Sequence, residues 1–166
     1  MEMTSERVSK LLNQQINAEL YSAYLYWDFA KHFDCNGLKG FANWYKQQAS
    51  EEVEHARRIY NYMQEQGCAI KLTTILGPKE ELKDYLTVAK LGLKHEKAIT
   101  EMINAIYDEA FKDKDYRTMN FLDWFIAEQA EEESNARDII DLIKLAKDSG
   151  SALYMADIKM GKRKSA

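Results

Sequence analysis

The sequence has few of the residues that interrupt helices. Its 166 residues include a single proline, Pro78, and only seven glycines. Since proline and glycine weaken helix interiors most, their scarcity favours long helices over many short strands. A chain of this length fits one domain with a sizeable core, so we expect residues 1–166 to form a single unit.

Other absences exclude several classes of protein. The two cysteines, Cys35 and Cys68, form no CxxC pair and are expected to be reduced thiols in a cytoplasmic protein. Charged residues interrupt every apolar stretch, so neither a signal peptide nor a membrane span is expected. The net charge of −4 indicates no basic face for nucleic acid.

Four long segments show helical periodicity instead. They cover about 5–33, 38–66, 79–112 and 116–147, and a short fifth segment covers about 151–160. Short turns pair the first helix with the second and the third with the fourth, each antiparallel. The longer connection, about 68–78, can span most of a helix of roughly 43 Å, so the third helix can run parallel to the second. The pattern predicts an all-α, ferritin-like four-helix bundle with one long crossover and a short fifth helix.

Each of the four helices carries a glutamate where its apolar seam should continue. Positions spaced alternately four and three residues apart are mostly apolar at both ends of each helix. The residues near the middle of these seams are Glu19, Glu52, His55, Glu96 and Glu132. One such glutamate alone could as easily reach solvent, and one Glu-x-x-His pair is a weak signal. Four seams with the same feature predict a layer of carboxylates in the core.

Such a layer favours a bound cation. Burying a single unpaired charge costs several kcal/mol or forces protonation. Carboxylate oxygens with one imidazole suit iron, manganese or zinc better than copper. The oxygens suffice for two ions with Glu52 between them, and His55 lies on the same helix face as Glu52. His95 adjoins Glu96, points to a different side, and is expected at the surface.

Several neighbours of the layer allow two interpretations. Tyr26 could supply an electron during oxygen reduction, but packing with a hydrogen bond is favoured. Gln129 lies one turn before Glu132 and could hold a water molecule or a ligand. Three more glutamates flank the seams: Glu51, Glu128 and Glu131. They are either solvated surface charges or a further metal position. The three successive glutamates at 131–133 repel one another without a counter-ion, which slightly favours the metal position.

With these residues in view, the sequence resembles the bacterial non-haem ferritins over essentially its whole length. The matching stretches are NAELYSAYLY (17–26), SEEVEH (50–55), KHE (94–96), NFLDWF (120–125), AEQAEEE (127–133) and LYMAD (153–157). The resemblance implies Fe(II) oxidation by oxygen or hydrogen peroxide in a homo-oligomeric shell of twenty-four subunits. A ferric mineral would fill the shell, and the fifth helix would line its fourfold channels.

The resemblance also implies a set of ligands. One iron would be held by Glu19, Glu52 and His55, and a second by Glu52, Glu96 and Glu132. A third iron position maps onto Glu51, Glu128, Glu131 and Glu132. Tyr26 and Gln129 match the tyrosine and glutamine that lie beside the site in the family.

Departures separate the chain from related families. Bacterioferritins and rubrerythrins carry a second Glu-x-x-His on helix four, but 128–135 contains no histidine. The haem-binding methionine of bacterioferritins is replaced by Val53, so no haem is expected. Two alternatives remain. One is a rubrerythrin-like di-iron or di-manganese oxidase or peroxidase without mineral storage, and the other is a helical interaction protein with solvated glutamates.

Overall fold

The computed structural model describes residues 4–165 and consists of five helices. They are α1 (Glu6–Cys35), α2 (Lys39–Glu65), α3 (Tyr85–Lys112), α4 (Tyr116–Leu145) and α5 (Gly150–Met160). Residues 4–165 contain no strand. None of the helices in this range combines the length and the hydrophobicity that a membrane-spanning helix needs. The predicted all-α fold class is confirmed.

The third helix begins later than predicted. Its first residue is Tyr85 rather than residue 79, because the Asp84 side chain accepts the backbone N–H of Thr87 at 2.8 Å and caps the helix. An extended cap residue whose side chain satisfies a free N–H is a strong helix start. Residues 79–84 therefore belong to the crossover, although their lysines and glutamates are good helix formers.

The crossover between α2 and α3 is attached to α1 by two asparagines. The Asn13 side-chain amide donates to the carbonyl of Ala69 at 2.9 Å and accepts the backbone N–H of Lys71 at 2.7 Å. One turn later, Asn17 donates to the carbonyl of Thr74 at 3.0 Å. These hydrogen bonds satisfy backbone groups of the crossover, which forms neither a helix nor a strand.

Two apolar clusters define the direction of each helix. One cluster joins the end of α1, the start of α2, the start of α3 and the end of α4 through Phe33, Phe41, Val88 and Ile139. The other joins the opposite ends through Leu12, Ile59, Ile103 and Leu122. Thus α1 and α2 are antiparallel, α3 and α4 are antiparallel, and α3 runs parallel to α2. A polar layer separates the two clusters.

Helix α5 is packed against the start of α2. No side chain of α2 caps its own N-terminus, and the Phe41 N–H instead donates to the Asp157 carboxylate at 2.9 Å. The approach needs glycine at position 40, since a Cβ there would lie 1.7 Å from the Asp157 carbonyl oxygen. The outer side of α5 leaves Tyr154, Met155 and Ile158 exposed.

Candidate metal centre

Five polar side chains from four helices meet in the layer between the apolar clusters. They are Glu19 of α1, Glu52 and His55 of α2, Glu96 of α3 and Glu132 of α4, and none is more than 4% exposed. Long helices of similar length, paired antiparallel, put the middle of each seam at the same height. The structure therefore brings together all five residues of the predicted layer.

Their ligand atoms form three groups that could each hold a cation. Within each group, one nitrogen or oxygen atom per residue lies within 4.8 Å of the others. The groups are Glu19, Glu52 and His55; Glu52, Glu96 and Glu132; and His55, Glu128 and Glu132. The first two share Glu52 and coincide with the two ligand sets that the family resemblance implies.

One carboxylate oxygen in the first group lacks a hydrogen-bonding partner. Oε2 of Glu19 is fully buried and receives no hydrogen bond from any residue in the range 4–165. Its nearest basic atom is Nδ1 of His55, at 3.9 Å, which is too long for a hydrogen bond. A buried oxygen without a donor is costly, and a cation is the partner that such an oxygen fits.

Two glutamines donate hydrogen bonds to three carboxylates of the layer. Gln15 donates to Oε1 of Glu19 at 2.8 Å, and Gln48 donates to Glu52 at 2.9 Å and to Glu132 at 2.8 Å. Sequence reasoning did not assign these glutamines to the site. The signal was present, because each lies four residues before a buried glutamate on the same helix face.

Burial and neighbouring charges raise the pKa of every glutamate in the layer. Burial, followed by the charge of Glu52, raises the pKa of Glu19 to about 8 and that of Glu132 to about 9. Burial raises the pKa of Glu96 to about 7, and it raises the pKa of Glu52 as well. The metal-free layer therefore retains protons near neutral pH, which a bound cation would displace.

His55 is the basic residue inside the layer. Its Nδ1 lies 3.2 Å from Glu52, and its Nε2 lies 3.7 Å from Glu128. Burial acts to lower the pKa of His55, but Glu128 and Glu52 outweigh burial and raise it to about 11. His55 also lowers the pKa of Glu128. The protonated imidazole neutralises part of the layer and must lose its proton before it can bind a metal.

Tyr26 and Gln129 both contact Glu96. The Tyr26 phenol donates to Oε1 of Glu96, and Gln129 donates to Oε2 at 3.2 Å. Burial and the Glu96 charge raise the pKa of Tyr26 well above its ordinary value, so the phenol stays protonated. The two side chains fix the orientation of one carboxylate, in agreement with the hydrogen-bonded interpretation of Tyr26.

The expected surface position of His95 is wrong. The ring is half-buried, and its Nε2 lies 2.6 Å from Oγ of Ser22. It also packs edge-on against Tyr26, with ring centroids 6.2 Å apart. Burial lowers its pKa to about 4, so the ring is neutral. Because His95 is adjacent to Glu96, its side chain points away from the ligand layer. It does not point towards solvent, because α1 covers it.

The flanking glutamates lie at the open side of the layer. A cleft of about 670 Å³ there is lined by Glu51, Glu128 and Glu131, together with Trp124 and Arg163. Glu131 is exposed, and Glu51 pairs with Arg163 at 2.5 Å. The structure brings Glu128 to His55 but does not place Glu51 or Glu131 in a compact ligand group. Sequence reasoning gave no role to Trp124 or Arg163.

Residues 9–146 match the family model described as the ferritin-like domain. The chain belongs to the ferritin family. The bacterial non-heme ferritin of Campylobacter jejuni is 39% identical over 155 residues, which cover 93% of each chain. The bacterial non-heme ferritin of Staphylococcus saprophyticus is 37% identical over 161 residues, covering 97% of this chain and 96% of that relative.

Solved ferritin structures share the whole fold. The open pore ferritin of the archaeon Archaeoglobus fulgidus superposes with a TM-score of 0.95 at 39% identity, over 99% of this chain and 100% of that one. An engineered closed form of the same archaeal ferritin also gives a TM-score of 0.95, over 98% and 99% of the two chains. The four-helix ferritin fold is thus established by likeness along nearly the full chain.

Proposed function

We propose that this ferritin oxidises Fe(II) at the buried carboxylate layer and stores the ferric product as a mineral inside a hollow shell. The observation that carries the proposal is the pair of three-residue ligand groups that share Glu52 in the layer between the two apolar clusters. A shared carboxylate holds two ions close together, and two Fe(II) ions together supply the two electrons that convert oxygen to hydrogen peroxide.

The ligand groups support two iron positions. One Fe(II) binds to Glu19, Glu52 and His55, and the second binds to Glu52, Glu96 and Glu132. Family membership and the iron-related names of the relatives support iron as the substrate. A third position uses the flanking carboxylates Glu51, Glu128 and Glu131 with Glu132. No haem takes part, since Val53 offers no ligand atom.

Ionisable side chains of the layer release or keep protons when iron binds. Glu19 and Glu132, with pKa values of about 8 and about 9, release protons as the cations enter. His55 also gives up a proton when its ring nitrogen becomes a ligand. Tyr26 keeps its proton and holds Glu96 in place. When oxygen takes an electron from the Tyr26 phenol, the phenol proton passes along this hydrogen bond to Glu96.

The assembly is proposed from the family. A shell of twenty-four copies in the cytoplasm would enclose the mineral, with residues 1–166 as one unit per subunit. Exposed apolar side chains support burial between subunits: Trp27 and Tyr24 on α1 are 49% and 43% exposed, and Tyr154 on α5 is 65% exposed.

An anaerobic Fe(II) titration followed by exposure to air tests the proposal. The expected result is binding of at least two Fe(II) ions per subunit, followed by retention of hundreds of ferric ions per assembly in the shell fraction of a sizing column. Binding of two ions without retained mineral would instead support a rubrerythrin-like oxidase or peroxidase. An interaction protein would bind little iron, and that outcome would contradict both enzymatic proposals.

A further inference from the structure

Arg163, which follows α5, reaches back to the rim of the metal centre. Its guanidinium donates to Glu51 at 2.5 Å and to Oε1 of Gln48 at 2.9 Å. It also lies 4.3 Å above the centre of the Trp44 ring. The Arg163 and Glu51 side chains are only 18% and 26% exposed, so water screens this ion pair less than a surface pair.

The neighbouring glutamine connects Arg163 to the ligands. The carbonyl oxygen of the Gln48 amide accepts from Arg163, so its nitrogen faces inwards. That nitrogen donates to Glu52 and Glu132, which belong to the proposed iron ligands. Arg163 is therefore one side chain away from the carboxylate shared by the two iron positions.

The ion pair explains why Glu51 is not assembled with the other flanking carboxylates. Glu128 lies near His55, whereas Glu51 is turned to Arg163 and does not join a compact group of ligand atoms. A cation that approaches this carboxylate either displaces the guanidinium or is repelled by its positive charge, and both cost binding free energy.

We propose that Arg163 is a positioning residue that competes with a third cation for the carboxylate of Glu51; this inference rests on the proposed function. The first two cation positions lie deeper and do not use Glu51. The C-terminal segment thus limits the affinity of the outermost position.

Co(II) titration of the assembled, iron-free protein tests the inference, with bound ions counted by equilibrium dialysis and their environment followed by absorption spectra. In Arg163→Gln, the third Co(II) should bind about tenfold more tightly, which equals about 1.4 kcal/mol. The first two affinities should change by less than about threefold. Arg163→Lys keeps the positive charge and should stay close to the wild type.

Matched variants separate competition from a structural role. Lys164→Gln removes the same charge from an exposed neighbour and should have no effect. In a Glu51→Gln background, Arg163→Gln should produce no further change in cation affinity. Circular dichroism and thermal unfolding will check that α5 remains folded in each variant.

The outcomes are distinct. An unchanged third affinity in Arg163→Gln, its loss, or a parallel fall of all three affinities would overturn the inference, the last two by showing that Arg163 only supports the site. A wild type that binds two ions while Arg163→Gln binds three would support it. A wild type that binds fewer than two Co(II) ions and does not oxidise Fe(II) would overturn the proposed function, and the inference with it.

Discussion

Oε2 of Glu19 and Nδ1 of His55 face each other across 3.9 Å, and no residue among 4–165 donates a hydrogen bond to this buried oxygen. This arrangement leaves the metal-free core with an uncompensated acid whose pKa is about 8. The carboxylate of Glu19 therefore serves metal binding but destabilises the metal-free fold. A substitution at Glu19 can separate these two effects.

Glu19→Gln should slow Fe(II) oxidation by orders of magnitude, because one iron position loses a ligand. The metal-free variant should be as stable as the wild type or more stable by about 1 kcal/mol, as when other buried charges are replaced by neutral groups. Stopped-flow oxidation and the unfolding half-life in EDTA measure the two effects. Glu101→Gln, on the exposed face of α3, is the control. A less stable variant with unchanged oxidation would make Glu19 a structural residue.

The stability of the metal-free protein should fall as pH rises. The folded-state pKa values of Glu19 and Glu132, about 8 and about 9, exceed the ordinary value of 4.5. A raised pKa means that the folded state holds protons that the unfolded chain releases. The contribution is complete below pH 4.5 and is lost as pH rises through 8 to 9.

The raised pKa of His55, about 11, acts in the same direction, and its contribution is lost progressively between pH 6.5 and pH 11. Unfolding half-lives in EDTA between pH 5 and pH 9 will test the slope, and Glu19→Gln should flatten it. With saturating Zn(II) the trend should reverse, since cations displace protons more easily at high pH. If the stability in EDTA instead rises with pH, the raised pKa values of the buried glutamates would be contradicted.

Glu131 and Glu128 should behave differently when each is changed to glutamine. Glu131 is exposed at the cleft, so Glu131→Gln should leave the first fast oxidation within about twofold and alter the number of irons oxidised per oxygen consumed. Glu128 raises the pKa of His55, so Glu128→Gln should shift half-saturation by Zn(II) to lower pH. Stopped-flow traces and an oxygen electrode will test the prediction for Glu131→Gln. Zn(II) titrations at several pH values will test the prediction for Glu128→Gln. Loss of the fast phase in Glu131→Gln would place that residue among the primary ligands.

Gly40→Ala should detach α5 from the bundle. The new Cβ would lie 1.7 Å from the Asp157 carbonyl oxygen, a backbone atom that cannot move alone. We expect a lower melting temperature and faster proteolysis within 148–165. Gly77→Ala is the matched control, because a Cβ there meets no atom within 4 Å. Equal protease resistance in the two variants would show that α5 does not depend on this contact.

The sequence predicted the carboxylate layer because burial and helical spacing agree along α1 and α2. Along α3 the same spacing is misleading: it selects Thr100 and Tyr107, whereas Ile99 and Ile106 are the buried residues. The hydroxyl groups of Thr100 and Tyr107 reach Glu133 and Asp123 instead. A side chain with a polar tip can occupy the edge of a seam, and the spacing cannot show this.

The contacts around Arg163 had no local signal. Its partners Gln48 and Glu51 lie 115 and 112 residues away in the chain, and only the packing of α5 against α2 brings them together. The start of α3 was also misplaced, because Asp84 caps the helix while helix-forming residues continue before it. The bounds of the first two helices, predicted as 5–33 and 38–66, agree with the structure within two residues.

The docking of α5 has a practical consequence for protein engineering. Because Asp157 and Arg163 fix the C-terminal segment to α2, a tag or cargo attached to Ser165 would begin two residues after Arg163, which lines the cleft beside Glu51. Fusion before α1 begins fourteen residues from Glu19, roughly 21 Å along the helix. The N-terminus is therefore the attachment point that leaves cation entry undisturbed.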